Sequence, residues 1–344
     1  MQHKLSPGRL LDSNGHLCEA GYATSLVKEY DRKDIKANGL RIKEWDYYLI
    51  YNDRFGIALT VDDNSYMSML SASILDFTTP SEITVSPIGL MPMGKTNLPP
   101  SSEAGVSRLA IGKSEFTFTV EADGSRRLKG NLEKFKDGKP FVFDVILTEE
   151  PEDSMVIATP FAEKKTAFYY NQKIVGMRAS GTVEIGEEKY VFDPAESFGM
   201  LDWGRGVWTY SNTWYWGAGH GEVDGKVVGF NIGYGFGDTS AASENMIFVD
   251  GKAHKFDQVT FNIPQTADGK DDFMKPWTFT SNDGRFEMEF EPVMDRASRT
   301  SVLLIESDQH QVFGKFNGKM ILDDGSAIQL KDFMGFAEKV KNRW

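Results

Sequence analysis

Residues 41–51, RIKEWDYYLIY, place Trp45, Tyr47, Leu49 and Tyr51 on alternate positions. Side chains of a strand alternate between its two faces, so a period of two predicts a strand with one buried side. Asn52-Asp53 then supplies turn residues, Arg54–Val61 (RFGIALTV) reads as the returning strand, and Asp62-Asp63-Asn64 turns the chain again into Ser65–Phe77. This is an antiparallel meander.

Outward from it the same signal recurs. Glu115–Val120 (EFTFTV) alternates strictly, and turns at Asp123-Gly124 and Asp137-Gly138 lead to Phe141–Leu147 (FVFDVIL). Ten Asn-Gly or Asp-Gly pairs occur, starting at 14, 38, 123, 137, 224, 250, 268, 283, 317 and 324. A type I′ turn needs positive φ at both central residues, which Asn, Asp and Gly adopt at least cost, so such a pair between alternating runs marks a hairpin. Hairpins at short intervals in both halves favour two barrels or sandwiches over one large sheet, and 344 residues suit two domains. The expected layout is an N-terminal arm over 1–36, broken by Pro7, Gly8, Gly15 and Gly21, then domains over 37–176 and 177–344. Two stretches lack periodicity. Pro80–Arg108 reads as a long loop or lid in which Met91 and Met93 could line a pocket, and Pro151–Lys173 holds the best, though short, helix candidate. The last residues, 332–344, read as a closing strand or short helix that sets Trp344 against the body. The fold class is all-β with few short helices.

Composition narrows the function. Acidic residues outnumber basic ones 50 to 38, a formal charge of −12, which works against a nucleic-acid partner. No apolar run approaches the roughly 18 residues of a membrane span, so no stable membrane insertion is expected. The N-terminus carries no signal-peptide core, and Cys18 is the sole cysteine, which excludes an internal disulfide and a thiolate zinc site. A cytoplasmic protein is expected. His3, His16, His254 and His310 show no metal-ligand spacing, and the Gly233, Gly235, Gly237 run lacks the strand-to-helix setting of a dinucleotide site, so neither metal nor cofactor is expected.

One stretch stands out as a site. Phe198–Gly221, FGMLDWGRGVWTYSNTWYWGAGHG, holds four of the seven tryptophans, Trp203, Trp208, Trp214 and Trp216, with Tyr210 beside them. Aromatic rings packed around an acid and a guanidinium, here Asp202 and Arg205, line a pocket for a mostly apolar molecule. The plain alternative is a core strand in which Asp202 and Arg205 pair with each other. On a regular strand positions 202 and 205 face opposite sides, and only Gly204 and Gly206 would permit a bulge that unites them. Glu196 is the candidate second carboxylate, with a solvated turn residue as the alternative, and His220 the candidate proton shuttle, with a turn residue again the alternative. Asn231 and the pair Glu244-Asn245 interrupt apolar runs and must find partners, either a ligand or a neighbouring backbone group.

RIKEWDYY near the start, LDWGRGVW and TWYWGAG in the middle, and FGKFNGKMILDDG with a final NRW together resemble the bacterial family called domain of unknown function 2804, over nearly the whole chain. More distantly, an Asp followed by Trp-Gly in an aromatic strand is similar to the corresponding motif of carotenoid hydratases, AttH-like proteins and tocopherol cyclases. That wider resemblance implies two lipocalin-like antiparallel barrels in tandem, and it implies for Asp202 the role of an acid that protonates an isolated double bond. The leading expectation is a lyase-type enzyme for acid-assisted hydration, isomerisation or cyclisation of a small, largely hydrophobic, lipid- or isoprenoid-like molecule. In it Arg205 and Asn231 orient the substrate and the tryptophans face a developing cation. The alternatives are a carrier of a hydrophobic ligand that does no chemistry, and a carbohydrate-binding or carbohydrate-active protein. The sequence leaves the oligomeric state open.

Overall fold

A computed structural model describes residues 2–302 and 305–343. Their strands build two large antiparallel sheets and one small parallel ribbon, Gly8–Arg9 with Lys28–Glu29. The centre of the first sheet runs, in spatial order, Phe55–Asp63, Ile42–Tyr51, Phe198–Val207, Phe168–Ile185 and Lys139–Thr148. The centre of the second runs Lys226–Tyr234, Ser211–Val223, Ala327–Arg343, Ile305–Ile321 and Phe286–Val302. Each sheet curls on itself around an apolar filling. One buried cluster occupies the first sheet and also takes in Trp216, Met246, Met294, Phe313 and Phe336 of the second, so the two sheets share a packed interface. A separate cluster around Phe230, Phe279, Phe290 and Phe316 fills the second sheet alone.

The meander expected over 42–77 is present, as strands Ile42–Tyr51, Phe55–Asp63 and Met67–Asp76. Of the Asn-Gly and Asp-Gly pairs, those at 123, 137, 224, 250, 283 and 324 join consecutive strands. Asp137-Gly138, Asp224-Gly225 and Asp250-Gly251 have positive φ at both positions, as the turn chemistry demands. The pair at 38 instead caps a short 3-10 turn, and Asn317-Gly318 lies within a strand where the register shifts.

Four expectations need correction or limits. Pro151–Lys173 holds no helix: it supplies Met155–Pro160 and the start of Phe168–Ile185, whose tertiary pairing overrides a weak local helical signal. The boundary at 176/177 falls inside that same long strand, and the chain passes from the first sheet to the second between Val207 and Ser211. Residues 80–108 are no free lid. After the short strands Ser81–Val85 and Ile88–Leu90, the segment is pinned from inside the first barrel, where Arg205 donates to Pro99 O (2.7 Å), Arg126 to Ser102 O (2.9 Å), and Ser102 to Gln172. Met91 and Met93 point outward rather than into a pocket. The chain end is a strand, Ala327–Arg343, while Trp344 lies outside the described residues. The N-terminal arm does pack on the body: Gly21–Ala23 extends the first sheet and His3 N donates to Ala241 O (2.8 Å) in the second half.

Candidate active site

Phe198–Val207 pairs with Ile42–Tyr51 in unbroken register, so no bulge forms at Gly204 or Gly206. Asp202 and Arg205 therefore leave opposite faces of the strand, and the ion pair between them is absent. Arg205 is fully buried inside the first barrel. Its guanidinium donates to the Trp45, Gly204 and Pro99 carbonyls (2.8, 2.8 and 2.7 Å) and to Asp46 (3.0 Å), and lies 4.4 Å over the Trp203 ring. The glycines serve a different purpose. A Cβ on Gly204 would stand 1.9 Å from the Trp45 ring, so the missing side chain is what lets that indole lie flat on the strand.

Asp202 faces the second sheet, where two cross-strand rows meet. In the first sheet Lys173, Asp202 and Tyr47 are direct neighbours across three strands. In the second, Trp216, Glu338, Gln311 and Arg296 are direct neighbours across four. Lys173 Nζ lies 2.7 Å from Asp202 Oδ2 and 3.8 Å over the Trp216 ring, which joins the rows. Asn171 Nδ2 donates to Asp202 Oδ1 (2.6 Å) and to Trp203 O (2.7 Å). Glu338 accepts from Trp214 Nε1 (3.0 Å) and Gln311 Nε2 (3.0 Å), while Arg296 donates to Gln311 Oε1 (2.9 Å). Glu244 arrives from a loop, its carboxyl lying against Gly233, the residue paired with Trp216; a Cβ there would be 3.0 Å from the carboxyl carbon.

Three carboxyls and one ammonium thus gather in a mostly apolar setting. Burial raises the Glu244 carboxyl to about 7; Lys173 opposes the rise and Asp202 adds to it. Burial likewise raises Glu338 to about 7, with the Trp214 hydrogen bond and Lys173 opposing and Asp202 adding. Burial pushes Tyr47 up to about 12 and Tyr169 well above the usual phenol range, the latter reinforced by Glu244, Asp202 and Glu338. A carboxyl that titrates near neutrality can hold a proton and release it at working pH, as a general acid must.

Aromatic rings adjoin the cluster at Trp214, the donor to Glu338. Trp45, Trp208, Trp214, Phe236 and Tyr169 form a closed circuit with centroid separations of 5.4, 5.9, 5.1, 4.8 and 6.1 Å. Trp45, Tyr47, Trp208 and Trp214 are partly exposed, whereas Lys173, Asp202, Glu244 and Glu338 are buried.

The other sequence candidates divide. Trp208, Trp214, Trp216 and Glu244 join Asp202 at this site. Asn231 supports it, accepting from Trp216 Nε1 (2.8 Å) and donating to Glu244 O (2.8 Å). Trp203 faces the first barrel's interior against Tyr170, and Asn245 holds backbone, accepting from Gly233 N (2.8 Å) and donating to Asp257 O (2.6 Å). Glu196 is exposed and paired with Arg54, and Tyr210 is exposed. His220 is buried at another part of the interface, stacked on Tyr51 at 4.2 Å, and burial lowers its imidazole to about 3, which unsuits it to shuttling protons near neutrality. Sequence reasoning missed Lys173, Glu338, Asn171, Tyr169 and Gln311. Two signals were available, the polar triplet Asn171-Gln172-Lys173 set between FYY and IVG, and the lone acid of GFAEKV. Among the described residues no three His, Cys, Asp or Glu side chains are placed to share a metal ion.

A family model described as Domain of unknown function (DUF2804) matches residues 2–344. No curated protein matches the chain by sequence. Among solved structures, a protein assigned as AttH from Nitrosomonas europaea is 14% identical with a TM-score of 0.54, covering 92% of this chain and 98% of its own. CghA solved with Sch210972 is 11% identical with a TM-score of 0.53, covering 98% and 97%. Kievitone hydratase from Nectria haematococca is 12% identical with a TM-score of 0.50, covering 99% and 98%. At such identities the likeness is one of fold, and the architecture is that of two lipocalin-like barrels in tandem.

Proposed function

The chain belongs to the domain of unknown function 2804 family, and from that premise we propose that it is an enzyme that protonates a small, largely hydrophobic substrate between its two barrels. The observation that carries this reading is the pair of buried carboxyls, Glu244 and Glu338, both raised to about 7 beside the Lys173–Asp202 pair. One of them, as the neutral acid, gives its proton to a carbon of an isolated double bond, and the carboxylate left behind keeps the electron pair of its O–H bond. The cation formed on the other carbon lies among the faces of Trp45 and Trp214. Three endings balance. Water adds and loses a proton to the carboxylate, giving a hydrated product; a neighbouring C–H loses its proton instead, giving an isomer; or a second double bond attacks, closing a ring, before the proton is lost. Asp202 acts here as the charge partner of Lys173, and the donor role passes to the two glutamates.

A structural neighbour named a hydratase accords with the reading. The test is native mass spectrometry of freshly purified wild type and of the Glu244→Gln/Glu338→Gln variant, with extraction and identification of any bound apolar molecule. Accumulation in the variant of a molecule that wild type converts supports the enzyme. The same molecule bound unchanged by both would instead make the protein a carrier.

A further inference from the structure

The first barrel carries an apolar tip that neither the candidate site nor the core uses. Leu90 is 83% exposed, Met91 55%, Ile88 53%, Met93 42% and Leu40 39%. They are neighbours. Ile88–Leu90 pairs with Met67–Met69, the amides of Met91 and Met93 donate to Tyr66 O and Ser65 O (both 3.0 Å), and a Cβ on Gly39, next to Leu40, would touch Met93 Cε at 3.4 Å.

Two further features set the tip apart. Met91 and Met93 both hold φ at 52°, in the left-handed region that long side chains seldom occupy, and that cost is sustained to turn them away from the core. The local charge is also opposite to that of the chain. Between Ile35 and Ile42 the only charged residues are Lys36 and Arg41, and between Ile88 and Asn97 the only one is Lys95; Lys36 and Lys95 are exposed, in a protein of formal charge −12, while Lys43 and Asp63, which accepts from Gly94 N and Thr96 Oγ1, are buried beneath.

We propose that this tip docks on an anionic lipid surface. Protruding apolar side chains flanked by lysines suit the boundary between headgroups and acyl chains, where the apolar groups are buried and the cations meet lipid phosphate. Five side chains on a tip fall well short of the roughly 800 Å² per partner that a stable protein interface buries. The tip also adjoins the candidate site. Arg41 Nε and Nη2 donate to Trp208 O (3.1 and 2.9 Å) and Trp208 N donates to Arg41 O (3.4 Å), so the docked edge lies next to a tryptophan of the aromatic circuit. An apolar molecule drawn from the lipid would reach that circuit without crossing open water. The docking itself does not depend on the proposed chemistry.

The test is flotation of the full chain with vesicles of phosphatidylcholine and phosphatidylglycerol at about 3:1, and with phosphatidylcholine alone, at low salt and at about 0.5 M salt. Wild type should float with the anionic vesicles and less with the neutral ones. Leu90→Ser/Met91→Ser should lower the bound fraction about tenfold or more, since each side chain's insertion is worth at least that factor. Lys95→Glu or high salt should weaken binding to the anionic vesicles alone. Both variants change exposed side chains, so unchanged thermal unfolding shows that the fold is intact. Two results would overturn the proposal: wild type that stays in the dense fraction with every vesicle, or binding that the double serine variant leaves untouched. A concentration-dependent dimer in sedimentation, abolished by the double serine variant, would also overturn it by assigning the tip to a second copy of the chain.

Discussion

Lys173 and Asp202 are direct cross-strand partners, Nζ to Oδ2 2.7 Å, buried beneath the ring of Trp216. Removing one member leaves the other charge without its counterpart in a place water hardly reaches. Lys173→Met should therefore cost about 3–5 kcal/mol of stability, while Lys173→Met/Asp202→Leu should recover much of that loss. Urea unfolding of wild type, Lys173→Met, Asp202→Leu and the double variant closes the cycle. Equal stability of the single and double variants would show that the pair does not act as a unit.

Glu338 titrates in the opposite sense from an ordinary stabilising carboxylate. Its folded-state value, about 7, lies above the usual 4.5, so its contribution to stability is fully present below 4.5 and is lost as pH rises through 7. Glu338→Gln removes that loss. Relative to wild type the variant should gain stability from about pH 4.5 to about pH 7, by up to about tenfold in the unfolding constant per pH unit, and the gain should level off above that; Glu244→Gln should behave alike. Activity with an identified substrate should fall by about a hundredfold or more in whichever variant lacks the donor.

His220 has the reverse sign. Its folded-state value, about 3, lies below the usual 6.5, so the stability tied to the neutral ring is present above 6.5 and drains away as the pH falls. His220→Phe keeps an aromatic ring on Tyr51 and removes the titration. The variant should overtake wild type progressively between pH 6.5 and 4, again by up to about tenfold per unit. A difference that stays flat over this range would mean that the imidazole is solvated in both states.

Gly204→Ala tests the aromatic circuit. The added methyl would meet the Trp45 ring at 1.9 Å, and the indole must leave its place over the strand. A stability loss of about 1–3 kcal/mol, the usual range for overpacking, should come with a shift in tryptophan emission. Gly112→Ala adds a methyl where nothing lies within 4 Å, at a glycine of positive φ, and should leave the emission unchanged.

The all-β character was legible because alternation and Asp-Gly turns are local signals, whereas the side on which Asp202 and Arg205 each lie stayed open until the unbroken register of Phe198–Val207 excluded a bulge. The site was half legible. Phe198–Gly221 announced itself by its aromatics, yet Lys173 and Glu338 reach Asp202 and Trp216 only through strand pairing and sheet packing. Register between strands that far apart in sequence leaves no mark in either one. Glu196 and Tyr210 misled for the converse reason: closeness in sequence to the aromatic stretch carries no closeness in space once a turn or a link intervenes.

All strands of the first sheet lie before Ser211 and all strands of the second lie after Val207. Synthesis from the N-terminus therefore delivers the site in two instalments. The lysine–aspartate pair arrives with the first barrel, while Glu244 and Glu338 come afterwards, the latter in the strand Ala327–Arg343 of the second sheet. Only a chain that includes Ala327–Arg343 has both acids beside the lysine–aspartate pair, so no truncation short of that strand holds the complete site.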